Sequence, residues 1–209
     1  KAFNDLGQVG ALSADGMTGI ARQFTQSGLQ LQSFTKLVSE NSVALARFKG
    51  TAGEGAEIFS KAVGELTQGS DDSLRMLGMN ADQIGSTVGA FVTQQTRLGK
   101  AQAMDAKQIK DGALSYALEL DKLSRITGTS REALQKQQDA SLSEDRFRAN
   151  IDDLERQGKG QIVKELQSLD SRMSSYGKEL GQGTRDLVSG TAANSDAAKK
   201  LLAATNGAA

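Results

Sequence analysis

Three pairs of adjacent carboxylates, Asp71/Asp72, Glu144/Asp145 and Asp152/Asp153, are the residues best suited to acid–base work. Two carboxyls share such work only when they converge on one reacting atom. Neighbouring residues on a helix point about 100° apart, because 3.6 residues complete a turn. Arg146, Arg148 and Arg156 lie at helical ion-pair spacing from these acids, so a solvated charged face is expected. The Gly-rich stretch GTAGEGAE (50–57) lacks the Lys-Ser/Thr ending of a phosphate loop and follows no predicted strand. With no Cys and no His, Ser-His-Asp and Cys-His catalysis and the usual zinc sites are excluded. No catalytic, cofactor-binding or metal residue, no cofactor and no enzyme activity is expected.

A different chemistry is raised by RITGTSREALQK (125–136), where an apolar helical run stops at Gly128 and a new helix starts at once. A helix-turn-helix DNA reader has such a turn. Leu123, Ser124 and Leu134 fit its packing positions, but Thr129 and Gln137 put polar groups where the crossing helices need apolar ones. Residues 101–160 hold ten Lys/Arg against eleven Asp/Glu, and phosphate binding needs a positive surplus. A capped helix start after a Gly stop is the simpler reading, and no specific nucleic acid is expected.

The elements that carry these residues are expected to be helices. The chain of 209 residues contains no Pro, balances 25 Lys+Arg with 25 Asp+Glu, and is 38% hydrophobic with 4% aromatics. Proline is excluded from helix interiors because it lacks an N–H and clashes with the preceding turn. The 23 glycines oppose helix by about 1 kcal/mol each, so the helices must be propped by packing or broken at some of them. No apolar run approaches the ~20 residues of a membrane helix. The first residue, Lys, and the soft end TNGAA point to a segment of a longer polypeptide.

Apolar residues alternate at spacings of three and four, the mark of a heptad seam. One frame runs from Phe3 to Leu66 through Phe24, Leu31, Phe34, Val38, Asn41, Leu45 and Phe48, with 14 of its 19 positions apolar. A second passes through Ile84, Val88, Phe91, Gln95 and Leu98, and a third includes Leu120 and Leu123. A fourth contains Ile162, Leu166, Leu169, Met173, Tyr176 and Leu180. These residues are the candidate oligomer or helix-packing seam. Asn41, alone among apolar neighbours, is a candidate register-setting residue. If the seam is intermolecular, Asn41→Leu would raise stability while loosening copy number.

The expected fold is all-α: several long amphipathic helices with heptad seams joined at Gly-containing breaks, elongated or bundled, without a sheet. Three regions are expected: a long heptad helix over 1–66, a helix-Gly-helix region over 67–154, and a C-terminal heptad helix with an Ala/Gly-rich tail over 155–209. Breaks are expected near 67–73, 135–146 and 156–161, where the seams stop. Asn80 with Gln83 and Thr129 with Glu132 match capping boxes, and Asn194 or Ser195 suits a helix start. Gly28, Gly78 and Gly128 each end an apolar run, with Phe34, Ile84 and Leu134 six residues on. Their spacing of fifty hints at a degenerate repeat.

LRMLGMNADQIGSTVGAFVTQQTRLGKAQ, then SYALELDKLSRITGTSREALQKQQDA and FRANI, resemble a stretch of tape measure proteins of tailed bacteriophages. The match covers residues 74–151; the flanks agree only in their Cys-free, Ala/Gly/Gln/Ser-rich helical style. The resemblance implies a structural virion protein, assembled in the host cytoplasm, lying in the tail lumen. It would set tail length and leave ahead of the DNA at ejection. It also implies partners: further copies of itself, the tail tube, and baseplate or hub proteins, with no small-molecule substrate. A self-assembling secreted helical filament or translocator shares the composition and is the alternative; a helix-turn-helix module ranks below it.

Overall fold

The computed structural model describes residues 16–69, 72–100, 104–190 and 195–204. Among them are eleven helices and no strand, an all-α fold. In chain order they are α1 Gly16–Ser27, α2 Leu31–Glu40, α3 Ser42–Lys49, α4 Ala52–Thr67, α5 Ser73–Met76, α6 Ala81–Arg97, α7 Ala106–Thr127, α8 Arg131–Arg156, α9 Gly160–Tyr176, α10 Lys178–Val188 and α11 Asp196–Ala204. None is long and apolar enough to cross a membrane. The chain divides into two compact units, Lys1–Leu134 and Gln135–Ala209, a partition that differs from the three regions expected from the seams.

The first unit is organised around α4, which packs against α1, α3, α6 and α7. Helix α4 turns a wide face of small and apolar residues to these neighbours, burying Ala52, Gly53, Gly55, Ala56, Phe59, Ala62, Val63, Gly64 and Leu66 while Glu54, Lys61 and Glu65 stay exposed. Its glycines set how near the neighbours come. A Cβ on Gly64 would lie 2.0 Å from the Gln26 carbonyl oxygen, and one on Gly55 would lie 2.2 Å from that of Leu45. Small residues therefore replace bulk in a chain poor in aromatics. Close backbone approach recovers dispersion contacts that large side chains would otherwise supply.

The long seam is not one helix. From Gly16 to Leu66 it is carried by four helices, with breaks at Gly28–Gln30, Asn41 and Gly50–Thr51; residues 1–15 lie outside the described part. The frame nonetheless marks the inward face of every piece. Ile20, Phe34, Val38, Leu45, Phe48, Ala52, Phe59, Ala62 and Leu66 are all buried in the same core. The breaks follow local chemistry. Gly50 has φ 93°, the Thr51 hydroxyl accepts the Glu54 N–H at 3.2 Å, and at Asn41 the chain kinks with φ −101° and ψ 7°.

The fifty-residue spacing has a geometric counterpart. Gly28, Gly78 and Gly128 are all left-handed, at φ 67°, 74° and 69°, the conformation that costs glycine least. Three residues after each, a helix begins: α2 at Leu31, α6 at Ala81 and α8 at Arg131. Phe34 and Ile84 enter the core, and Leu134 packs against it.

Side-chain caps mark five of the eleven described helix starts, at Thr51, Asn80, Asp105, Ser130 and Ser195. Asn80 and Gln83 form the expected reciprocal box, at 2.8 and 3.0 Å. Asp105 and Gln108 form a second one, at 2.8 and 2.9 Å, which the sequence reading missed. At α8 the cap is Ser130, whose hydroxyl accepts the Ala133 N–H at 3.2 Å, one residue later than the expected Thr129. Ser195 caps α11 through Ala198 N–H at 3.1 Å, while Asn194 lies outside the described residues.

Two of the expected breaks occur: α4 ends at Thr67 with α5 starting at Ser73, and α8 ends at Arg156 with α9 starting at Gly160. The third does not, because α8 runs through 135–146. That stretch has no Gly or Pro and is rich in helix formers, so backbone propensity and pairs such as Glu144–Arg148 carry it without a continuous apolar seam.

The second unit has a smaller core of Phe147, Ile151 and Val163, flanked by Leu154, Leu166 and Val188. Helix α10 packs against α9 and α11. Arg185 of α10 donates to both Asp170 oxygens of α9, at 2.9 and 3.3 Å. Asn150 Nδ2 donates to the Val188 carbonyl at 3.1 Å, joining α8 to the end of α10.

Candidate assembly surface

One acid of each adjacent pair bonds to a helical neighbour, and Asp71 lies outside the described residues. Glu144 pairs with Arg148, Asp153 with Arg156 and Gln157, and Asp72 with Arg75 at 3.0 Å. Among the described residues no three metal-ligating side chains gather. A surface depression is lined by Lys164, Glu165, Ser168, Leu169 and Arg172, all of which belong to α9, so it is the face of one helix. At the Gly128 turn, Asp121 holds both arginines: Arg125 Nε at 2.7 Å and Arg131 Nη1 at 3.4 Å. Those cations already have a carboxylate, which weakens any claim of phosphate on them.

The seam residues divide sharply. Phe34, Val38, Leu45, Phe48, Ile84, Val88, Phe91 and Leu120 are buried in the first core. Phe24, Leu31 and Leu123 are half-buried, and Leu98 is exposed. In the fourth seam Leu166, Met173 and Leu180 are half-buried, whereas Ile162, Leu169 and Tyr176 are exposed. The first seam is thus closed within its own chain, and the intermolecular reading of Phe34 and its neighbours is replaced by an intramolecular one. In the fourth, the residues on α9 alternate between a side that meets neighbouring helices and a side open to solvent, while Leu180 lies on α10.

Asn41 needs the same correction. Its Nδ2 donates to the Leu37 carbonyl at 2.8 Å, and its Oδ1 accepts from the Thr93 hydroxyl at 2.8 Å. The amide lies against Gly89, where a Cβ would meet Nδ2 at 2.8 Å. Asn41 therefore joins α2 to α6 within one molecule and does not face copies of itself. Asn41→Leu removes the Thr93 partner and puts a branched side chain against Gly89. It should lower stability by about 1–3 kcal/mol, read as an earlier urea midpoint, with the molecular mass unchanged. A rise in stability would restore the intermolecular seam.

Neither the Arg185–Asp170 pair nor the bond from buried Gln23 Nε2 to the Gly53 carbonyl at 3.2 Å is legible in the sequence. These contacts span 15 and 30 residues, and helical periodicity does not register partners across a fold.

The described residues form an all-α protein, and three of its exposed large apolar residues, Ile162, Leu169 and Tyr176, lie along one face of α9. Comparison with protein-family models, with curated proteins and with solved structures found no match to this chain.

Proposed function

We propose that the chain is a structural segment of a tape-measure-type tail protein of a tailed bacteriophage, carried in the tail lumen and released before the DNA. The observation that carries this reading is the helix, left-handed Gly and capped-helix pattern at Gly78 and Gly128, inside the stretch that resembles that family. The all-α fold and the local pairing of charges support a packing role over catalysis. Further copies of the chain, the tail tube and hub proteins remain the proposed partners.

The fold changes what such a segment can contribute. A continuous helical rod gains about 1.5 Å per residue, but α1 to α7 turn back on a common core. Within this proposal the first unit is a folded block, and length is measured by other parts of the polypeptide. Peptides of this chain should be found by mass spectrometry in purified tailed particles and be depleted from particles that have ejected their DNA. An in-frame deletion of the first unit should shorten the tail by far less than 1.5 Å per residue removed. Recovery of the chain only as filaments in the culture medium would overturn the proposal.

A further inference from the structure

Helix α9 presents to solvent a line of residues spaced three and four apart: Ile162, Glu165, Leu169, Arg172 and Tyr176. The apolar members are 46%, 44% and 80% exposed, while Val163, on the other side of the helix, is 3% exposed and belongs to the unit's own core. Between the apolar residues stand one acid and one base, both exposed. Arg172 has no ion-pair partner among the described residues, and Glu165 accepts only the Gln161 amide, at 3.1 Å.

The order along this line decides what can cover it. Read forward it is apolar, negative, apolar, positive, apolar; read backward the charges exchange. A two-fold axis at Leu169 therefore sets Leu169 on its own copy and Ile162 against Tyr176. It brings Glu165 to Arg172 twice. A parallel pair in register would set Glu165 near its own copy and Arg172 near its own copy. Like charges suppress that arrangement, and opposite charges select the antiparallel one.

We propose that α9 pairs antiparallel with α9 of a second copy of this chain, about a two-fold axis through Leu169. This pairing does not depend on the tail-protein reading. The contact is isologous and closed, so it stops at two and does not grow into a filament. With 17 residues in the helix, the interface lies at the small, weak end of the range.

The test is light scattering on the full chain from about 1 μM to about 1 mM. Wild type should rise from one 22.0 kDa chain towards two and level off. Arg172→Glu and Glu165→Arg should each weaken pairing about tenfold, and the double variant E165R/R172E should restore it. All these positions are exposed, and unchanged circular dichroism verifies the fold. The absence of Cys allows a second readout. Leu169→Cys should cross-link to itself on oxidation. Ile162→Cys should cross-link to Tyr176→Cys in a mixture and not to itself. A monomer at every concentration, a double variant that fails to restore pairing, or self-cross-linking of Ile162→Cys would overturn the proposal.

Discussion

Gly64→Ala is expected to lower the melting temperature of the first unit by about 10 °C, although alanine is the better helix former. Intrinsic propensity favours the substitution by about 1 kcal/mol, but the new methyl would lie 2.0 Å from the Gln26 carbonyl oxygen. The obstacle is backbone, so no rotamer change relieves it; α1 and α4 must separate. Their separation would also strain the Thr67 hydroxyl bond to the Ser27 carbonyl, at 2.9 Å, and the packing of buried Ile20 and Val63. Overpacking of this kind typically costs about 1–3 kcal/mol and more when the backbone cannot yield. A net loss near 3 kcal/mol corresponds to the stated shift for a unit of this size. Gly160→Ala is the control: no atom lies within 4 Å of its added Cβ, so propensity alone acts and stability should not fall. Calorimetry on the two variants separates close approach from helix propensity. Equal melting temperatures would show that α1 and α4 tolerate a wider spacing.

This contrast explains how far the fold was legible. The helical class followed from what the chain lacks, because proline-free sequence with sustained three–four spacing has few alternatives. Inward faces were also legible: Phe34, Phe59 and Leu66 share one frame and one core. What the frame could not say is whether its partner is another molecule or the next turn of the same chain. A seam records a face, and breaks as short as the one at Asn41 preserve its phase. The glycines were ambiguous for a related reason. Gly128 ends a helix and Gly64 lies inside one, and only the approach of a second backbone distinguishes the two uses. Candidate surface residues were partly legible. Ile162, Leu169 and Tyr176 were picked out as seam positions, but their exposure depends on α10 covering one side of α9, which is a tertiary fact. Glu165 and Arg172 matter only once that side is known.

Phe34→Ala should unfold the first unit outright under mild denaturant and should not act as a dissociating mutation. Phe34 is completely buried, near the start of α2, in the core that α4 anchors. Truncating a buried Phe costs about 3–5 kcal/mol, the exact figure depending on how far the surroundings collapse into the space. Here collapse is limited. Elements of this core already approach to contact at Gly55, Gly64 and Gly85, and its small members such as Ala56 and Ala62 have no length to extend into a cavity. The upper part of the range is therefore expected, a large share of the 5–15 kcal/mol that typically holds a domain together. Phe34→Leu retains most of the volume and should cost roughly half as much or less. Amide exchange resolves the outcome by region. In Phe34→Ala, protection should be lost together across α1–α7, because those helices share one core. Protection in α9 and in the Phe147–Ile151–Val163 cluster should persist, because that cluster is separate. If Phe34→Ala instead keeps full protection in α1–α7 and changes only the molecular mass, then Phe34 serves contacts between chains and the first seam is an interface after all.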